Sequence, residues 1–508
     1  MKWSEKLNHY SVFIVSAIVV LAVVVWGVAA PEGMTSTMEA MMTMMIEQFG
    51  WFYVLATALF VGYCLFLGFG PYRHMKLGLK GEKPEYTYFT WLGMLFAAGM
   101  GVGLVFWGVG EPLSHFHDPP DGIEPGSQEA ANYGLLYGIF HWGVHPWSIY
   151  AIVALALAFA KFRKNLPGLI SSAFYNVIGD QIYRWPGKTI DIIVIIATTI
   201  GIATSFGMST LQVGSGLSEV FGIESGNMVY LMIIATVTFI FLLSAVTGLD
   251  SGMRYLSISN LGLAGILLVA GLVLGPTIFI SEHVVNAIGQ YTTSLPELSF
   301  MTTPYTDNEW MGEWTLFYWA WVISWSPFVG TFIARVSKGR SLQEFIIGVL
   351  FVPTLITILW FVTFGGTGLH LELNNDLDIA ESTAETPEVG MFLVLEQLPG
   401  SLLLSIGALI LITIFFITSA NSATYVLGVF SSKGDLNPNS STLIIWGLLI
   451  SSIATVLLLS GGLEGLQATA TITAFPFTFL MVLLMYAIYI SLKNEGLRKR
   501  KVKEKEDW

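Results

Sequence analysis

Three aromatic side chains share one apolar stretch of the sequence: Trp142, Trp147 and Tyr150. At about 100° per residue of helix, Trp147 lies roughly 140° from Trp142 around the axis, and Tyr150 lies between them. Pro146 removes a backbone hydrogen bond and can bend the helix, which narrows this arc. Aromatic faces attract a cation with dispersed charge by about 0.5–2 kcal/mol per ring. The cluster indicates a cation-binding box, although an interfacial aromatic belt or core packing would also place rings here.

A second cluster of rings, Trp319, Trp321 and Trp325, lies in a later apolar stretch and precedes Pro327. An interfacial belt would hold its tryptophans at one membrane level, whereas this cluster extends two turns along the helix. Alternating glycines at 99–103 interrupt an earlier stretch, and each costs a helix about 1 kcal/mol relative to alanine. They predict either close helix packing or an unwound segment whose backbone groups face an ion or a substrate.

Small hydroxyl residues occur in two further apolar stretches. One contains Thr198, and the other contains Thr418 and Ser419. Hydroxyl oxygens beside unwound backbone carbonyls can ligate sodium without a fixed charge. Each hydroxyl can instead bond back to a carbonyl of its own helix. Both interpretations stay open on these residues alone.

Membrane-spanning helices must position all of these residues. Of the 508 residues, 54% are hydrophobic and only 11% are charged, whereas soluble domains carry about 25% charged residues. This composition excludes a soluble enzyme, a coiled coil and a disordered scaffold. Roughly 20 apolar residues cross the hydrocarbon core as a helix, and twelve stretches meet this requirement. They are 11–30, 50–70, 88–110, 131–160, 189–213, 228–248, 256–280, 314–334, 343–369, 400–430, 441–460 and 468–492.

The placement of charge predicts the orientation of these spans. With a cytoplasmic N-terminus and twelve crossings, all 23 Lys and Arg residues lie on the cytoplasmic side, while the outer loops hold most of the 35 acidic residues. Basic loops face the cytoplasm in membrane proteins. We therefore expect a multi-pass protein of the plasma membrane with both termini in the cytoplasm. The basic tail 493–508 is either an orientation anchor or a segment that contacts anionic inner-leaflet lipid.

Several function classes are disfavoured. The spans contain almost no ionisable groups, which argues against a proton relay or a voltage sensor. His141 and His145 are four residues apart but lack a third ligand nearby, so we expect packing or hydrogen-bonded histidines instead of a metal site. Cys64 is the only cysteine and excludes an intrachain disulfide. We expect no enzyme activity, no cofactor, no channel pore and no nucleic-acid partner.

Five runs of residues, in order along the chain, resemble the betaine/choline/carnitine transporter (BCCT) family. They are GMGVGLVFWGVGEP (99–112), FHWGVHPWSIYAIVALALAF (140–159), SAVTGLDSGMRYLSISN (244–260), WTLFYWAWVISWSPFVGTFIARVSKGRSLQEF (314–345) and FFITSANSAT (415–424). The resemblance covers essentially the whole chain. It implies an all-α polytopic membrane protein that forms a homotrimer.

The resemblance also implies a division of the chain. Twelve transmembrane helices are expected, of which two lead and ten form two five-helix inverted repeats of the LeuT-like kind. The predicted parts are 1–87 with the leading helices, 88–280 as the first repeat, 281–313 as an outer loop, 314–492 as the second repeat and 493–508 as the cytoplasmic tail.

The resemblance assigns roles residue by residue. The family's substrate site maps onto Gly101, Gly103, Trp142, Trp147, Tyr150, Trp321, Val322 and Trp325. One sodium site of the family maps onto Ala97, Met100, Phe415, Thr418 and Ser419, and a second maps onto Thr198, Ile202 and Phe328. Proton-coupled choline transporters resemble this pattern but carry Asp at the last glycine. Gly103 therefore favours sodium coupling and a net-neutral zwitterion.

Three positions depart from the family pattern. Val322 stands where the family usually has a fourth tryptophan, which removes one wall of the box and makes room for a bulkier cation such as the amidinium ring of ectoine. Ile202 replaces a hydroxyl of the second sodium site and leaves that site incomplete. Asn421 stands where the family commonly has Asp.

The resemblance implies a secondary transporter that takes up a zwitterionic compatible solute, glycine betaine or a relative, together with sodium, for osmoprotection. Two alternatives stay open. In the first alternative, the main substrate is ectoine, hydroxyectoine or dimethylsulfoniopropionate. The second is a sodium-independent facilitator or exchanger of the same family.

Overall fold

The computed structural model describes residues 10–79, 81–99, 101–247, 250–305, 309–375 and 377–506. Long helices make up most of this part of the chain, and its β structure is limited to one bridge between Lys76 and Ser341. The long helices are α1 (Ser11–Ala29), α2 (Pro31–Phe69), α3 (Tyr88–Gly99), α4 (Val102–His117), α5 (Gln128–Trp142), α6 (Val144–Ala158), α7 (Trp185–Phe221), α8 (Asn227–Thr247), α9 (Asp250–Leu274), α10 (Thr277–Ser299), α11 (Phe317–Val336), α12 (Leu342–Asn375), α13 (Ser401–Ser431) and α14 (Ser440–Glu506).

Short helical segments connect several of these elements. Single α turns and short α helices are Ile170–Ala173, Tyr175–Ile178, Glu309–Met311, Ile379–Glu385 and Gly390–Glu396. Two π-helical segments, Phe159–Arg163 and Gly312–Leu316, adjoin α6 and α11, and two 3₁₀ turns are Gly179–Tyr183 and Pro387–Val389.

Ten helices in the described ranges are long and apolar enough to cross a membrane. The sequence predicts twelve crossings, and the difference has two sources. The predicted span 88–110 is divided into α3 and α4, each shorter than a full crossing. The last two predicted spans form the single element α14, which bends at Gly462, where φ is +57°. The count of twelve and the repeat layout therefore stay predictions.

The predicted outer loop 281–313 contains regular structure. The helix α10 runs from Thr277 to Ser299 and lies outside the candidate membrane spans. Apolar residues on one face pack against the protein, with Ile280, Ala287 and Tyr291 buried. The opposite face is exposed, which explains why the sequence lacks the continuous apolar run of a span.

The centre of the molecule is formed by α6, in which every residue is buried. It packs along α11, while α4 packs against α5 and α12, and α7 packs against α13 and α14. Small residues permit these approaches. A Cβ at Gly330 of α11 would lie 2.7 Å from Val153 of α6, and one at Gly201 of α7 would lie 2.7 Å from Ser324 of α11.

The loops 70–87 and 337–341 hold the start of α3 beside the end of α11. The backbone N–H of Leu77 donates to the carbonyl of Arg340, at 2.8 Å. Lys338 pairs with Glu82 at 2.6 Å, and Arg335 pairs with Glu85 at 2.9 Å. The hydrogen bond from Lys338 lowers the pKa of the Glu82 carboxyl below its usual value. These contacts lie outside the spans, on the side that the charge pattern predicts to be cytoplasmic.

Candidate functional site

The three aromatic residues of the predicted box line one cavity. Trp142 is the last residue of α5, and Trp147 and Tyr150 lie in α6. The helix is broken at Gly143 between them, so the two walls belong to separate helical segments. The rings of Trp147 and Tyr150 are 5.6 Å apart and nearly perpendicular, with an interplanar angle of 84°. Both rings line the cavity in this edge-to-face arrangement.

The cavity lies between α4, α6, α7, α11 and α13, and it includes about 790 Å³ of space free of protein atoms. Its lining is mostly apolar with a few hydroxyl groups. The lining residues are Gly101, Val102, Gly103, Trp142, Pro146, Trp147, Tyr150, Ile202, Ser205, Phe206, Ser209, Trp321, Val322, Trp325, Thr357, Phe416, Ser419, Ala420 and Ala423. All eight predicted substrate-site residues are among them.

The alternating glycines coincide with a break in the helix. Gly101 has extended backbone angles, φ −121° and ψ −165°, and separates α3 from α4. Gly103 lies where two tryptophans meet, because a Cβ at this position would be 2.6 Å from Trp321 and 2.7 Å from Trp142. The first turn of α4 borders the cavity, and the N–H groups of a first turn have no partner within their own helix.

The tryptophans of α11 divide between the cavity and the core. Trp321 and Trp325 line the cavity, and the indole N–H of Trp321 donates to the Ser205 hydroxyl at 3.1 Å. The ring of Trp319 faces away from the cavity and stacks on His145 at 5.1 Å. Val322 also lines the cavity. The wall at this position is therefore a small aliphatic side chain.

Three of the residues predicted to hold sodium lie together on α13. Phe415, Thr418 and Ser419 line a second cavity, next to the first, and Ser419 lines both. The Thr418 hydroxyl donates to the carbonyl of Ile414 at 2.8 Å. Its oxygen lone pairs remain available to an ion, because the bond uses only the hydroxyl hydrogen.

The α3 side of this sodium site is described only in part. Met100 lies outside the described residues, and Ala97 is described only as backbone, within α3. The second cavity contributes further polar side chains that the sequence did not single out. Ser257, Asn260 and Ser422 line it together with the three residues of α13.

The three residues of the second predicted sodium site do not share a cavity. Thr198 is buried in α7, and its hydroxyl donates to the carbonyl of Val194 at 2.7 Å. Phe328 lines the second cavity, whereas Ile202 lines the first. The second sodium site therefore stays a prediction, with Ile202 in place of a hydroxyl.

A buried polar cluster adjoins the box, and the sequence did not assign it a role. Glu111 Oε1 lies 2.5 Å from His141 Nδ1 and 3.2 Å from His115 Nε2, and all three side chains have no exposed surface. His141 Nε2 bonds the Thr315 hydroxyl at 2.9 Å. The spacing of Glu111 and His115, four residues apart in a helix, is the one local signal for this contact.

The ligand atoms of Glu111, His115 and His141 lie within 4.8 Å of one another, which is close enough to surround a metal ion. The direct contacts between them favour a hydrogen-bonded network. His145 lies outside the cluster, and its ring nitrogens have no hydrogen-bond partner among the described residues. The sequence predicts that His145 is a packing or hydrogen-bonded histidine, and its ring stacks on that of Trp319.

A further large cavity, which Trp107 of α4 helps to line, has an acidic lining. It includes about 1750 Å³ of space free of protein atoms and has no Lys or Arg in its lining. Its six acidic residues are Glu39, Glu309, Glu313, Glu385, Glu388 and Glu464. Burial raises the pKa of Glu388, which lies in the segment between α12 and α13. Acidic walls of this kind raise the local concentration of cations.

The chain is similar in sequence to a known protein family and to several of its members. Residues 11–497 match the family described as BCCT, betaine/carnitine/choline family transporter. The chain is 45% identical over 503 residues to the glycine betaine transporter OpuD of Bacillus subtilis (strain 168), which covers 98% of this chain and 97% of the relative. It is 44% identical over 496 residues to the ectoine/hydroxyectoine transporter of Virgibacillus pantothenticus, which covers 97% and 98%.

A third relative is more distant. The chain is 37% identical over 503 residues to glycine betaine transporter 1 of Vibrio parahaemolyticus serotype O3:K6 (strain RIMD 2210633), covering 97% of this chain and 95% of the relative. The matches extend over nearly all of each protein. The chain therefore belongs to the betaine/carnitine/choline transporter (BCCT) family, which makes it a multi-pass membrane transporter and not an enzyme.

Proposed function

We propose that this protein takes up a zwitterionic compatible solute, glycine betaine or a relative, by sodium-coupled symport and thereby serves osmoprotection. The observation that carries the substrate class is the shared cavity of Trp142, Trp147 and Tyr150 beside Gly103. The cavity is lined without a carboxylate or a basic side chain. A net-neutral solute fits this lining better than a charged one does.

The cationic head and the carboxylate of such a solute bind to different parts of the cavity. Its cationic head enters the box, where each ring face contributes about 0.5–2 kcal/mol. Its carboxylate meets the first turn of α4, where Val102 and Gly103 line the cavity and the backbone N–H groups have no partner within the helix. The positive end of a helix dipole favours an anion at this position.

Sodium coupling is the part of the proposal that rests on α13. Sodium binds between α3 and α13, at Phe415, Thr418 and Ser419 with Ala97 and Met100. Because Ser419 lines both cavities, an ion bound there lies next to the substrate and orders the backbone break at Gly101. The repeats then rock about the occupied site and release both inward. A second sodium at Thr198 and Phe328 is not part of the proposal.

Ectoine is the main competitor to glycine betaine. The small side chain of Val322 leaves room beside the rings, and relatives of nearly equal identity are named for glycine betaine and for ectoine/hydroxyectoine. Dimethylsulfoniopropionate carries a similar dispersed cation. A sodium-independent exchanger is the alternative mechanism, and the hydroxyls of Thr418 and Ser419 argue against it.

The assembly and location are proposed with the function. The protein acts as a homotrimer in the plasma membrane, with both termini in the cytoplasm and its basic loops against anionic inner-leaflet lipid. The absence of Lys and Arg from the predicted outer loops supports this orientation.

The proposal is tested by uptake into proteoliposomes. Labelled glycine betaine is supplied with an inward sodium gradient, with potassium in place of sodium, and with competing ectoine, dimethylsulfoniopropionate, choline and carnitine. We expect accumulation only with sodium, and competition by the zwitterions but not by choline. Uptake that persists without a sodium gradient would exclude symport and favour the exchanger.

A further inference from the structure

The broken helix that carries the box is held from outside by a residue of the peripheral helix α10. The Tyr291 hydroxyl accepts the backbone N–H of Val144, at 2.9 Å. Val144 is the first residue of α6, so its N–H has no partner within that helix. Tyr291 is 147 residues further along the chain, and its side chain is almost completely buried.

The glycine at the break makes this contact possible. A Cβ at Gly143 would lie 2.2 Å from the Tyr291 hydroxyl oxygen and 2.7 Å from the carbonyl oxygen of Ile139. Gly143 has a negative φ of −89°, a value open to other residues. The Tyr291 hydroxyl and the Ile139 carbonyl together leave no room for a side chain at this position.

The other side of the break is held by a different helix. The Thr357 hydroxyl of α12 donates to the carbonyl of Trp142, at 3.2 Å. The Val144 N–H starts a helix, and the Trp142 carbonyl would pair with residue 146, which is Pro146 and has no N–H. Side chains of α10 and α12 thus bond two peptide groups that lack helical partners. Trp142 lies immediately before the break and Trp147 shortly after it. The position of the break consequently sets the relative position of the two walls.

The anchoring helix lies at the periphery of the molecule. In α10, the side chains of Ile278 and Val285 are 77% and 73% exposed. The same helix is held against α12 by Phe279, whose ring lies 4.5 Å from that of His370. A residue of a surface helix therefore reaches the substrate site through a single hydroxyl group.

We propose that Tyr291 is a positioning residue for substrate recognition, which ties the peripheral helix α10 to the start of α6 and so sets the spacing of the Trp142 and Trp147 walls. The inference rests on the proposed function, since the box must hold the solute for its spacing to matter. Tyr291 does not line the cavity and does not touch the solute.

The test is Tyr291→Phe, which removes only the hydroxyl, and Tyr53→Phe is the matched control. The Tyr53 hydroxyl also bonds a backbone group, the carbonyl of Thr471 at 2.7 Å, but it joins α2 to α14 and lies outside the cavity lining. Both variants lose one buried hydrogen bond, and we expect both to unfold at a lower temperature. Only Tyr291→Phe should raise the KM for glycine betaine, by about five- to tenfold, with kcat changed by less than about twofold.

A second readout reports the box itself. Glycine betaine and ectoine are titrated into the purified wild-type protein and both variants, and tryptophan emission is recorded. We expect Tyr291→Phe to alter the ratio of the two dissociation constants and Tyr53→Phe to preserve it. A wild type that responds to neither solute would refute the proposed function. A responsive wild type with equal KM values and ratios in both variants would overturn the role of Tyr291.

Discussion

Glu111 and His141 form a fully buried pair behind the wall of the box, with Oε1 of the carboxylate 2.5 Å from Nδ1 of the imidazole. His141 directly precedes Trp142, and its ring stacks on that of Tyr318 at 4.7 Å. Tyr318 in turn lies 5.9 Å from the Trp142 ring. The buried pair thus supports Trp142, which lines the cavity, without reaching the cavity itself.

Removing the carboxylate of this pair should destabilise the protein. Glu111→Ala leaves His141 and His115 buried without this hydrogen-bond partner, and an unsatisfied buried polar group costs about 1–3 kcal/mol. Glu111→Gln keeps an acceptor oxygen and should lose less. The measurement is thermal unfolding of the purified protein in detergent. Glu85→Gln is the control, because its pair with Arg335 is exposed and such pairs contribute little. Equal melting temperatures for Glu111→Ala and the wild type would contradict this role.

The two glycines of the cavity should differ in their tolerance of a methyl group. A Cβ at Gly103 would collide with Trp321 and Trp142, whereas one at Gly101 would meet its nearest neighbour, Trp325, at 3.4 Å. We expect Gly103→Ala to reduce the affinity for glycine betaine by more than about tenfold and Gly101→Ala to change it by less than about threefold. Binding is measured by tryptophan fluorescence. Equal effects would show that the tryptophans do not meet at Gly103.

A ring at position 322 should shift substrate preference. In Val322→Trp, a further aromatic face adds about 0.5–2 kcal/mol for a trimethylammonium group, which corresponds to about a 2- to 30-fold change in preference over ectoine. Val322→Ile is the control, because it adds bulk without an aromatic face. The measurement is competition between the two solutes for uptake. If the isoleucine variant shifts preference as far as the tryptophan variant does, cavity size and not a ring face determines selectivity.

The hydroxyls of α13 should determine the response to sodium. We expect the double variant Thr418→Ala, Ser419→Ala to raise the sodium concentration for half-maximal uptake by at least about tenfold, because it removes two oxygen ligands. Thr424→Ala is the control, since Thr424 bonds the carbonyl of Ala420 in the same helix and does not line either cavity. Exchange that proceeds normally in the double variant and without sodium would support the exchanger instead.

Local sequence determined much of this protein. The apolar stretches predict where the helices lie, and the glycines at 99–103 mark a position where a helix is interrupted. These features depend on backbone propensity and on neighbours within a few turns, so they can be read from consecutive residues. The break at Gly143 lies inside the predicted span 131–160, which the sequence does not divide. Helical periodicity relates Trp147 to Tyr150, but the break at Gly143 interrupts it between Trp142 and these two residues. The structure nevertheless gathers all three around one cavity.

Tertiary structure alone decided which distant groups meet. Trp319 and Trp321 are the same type of residue, two positions apart in one helix. The rotation of α11 in its packing turns the first to the core and the second to the cavity. The contacts of Glu111 with His141 and of Tyr291 with Val144 join residues 30 and 147 positions apart. Such contacts depend on how helices approach and rotate against each other, and that arrangement is set by the packing of the whole molecule rather than by the pattern of any single segment.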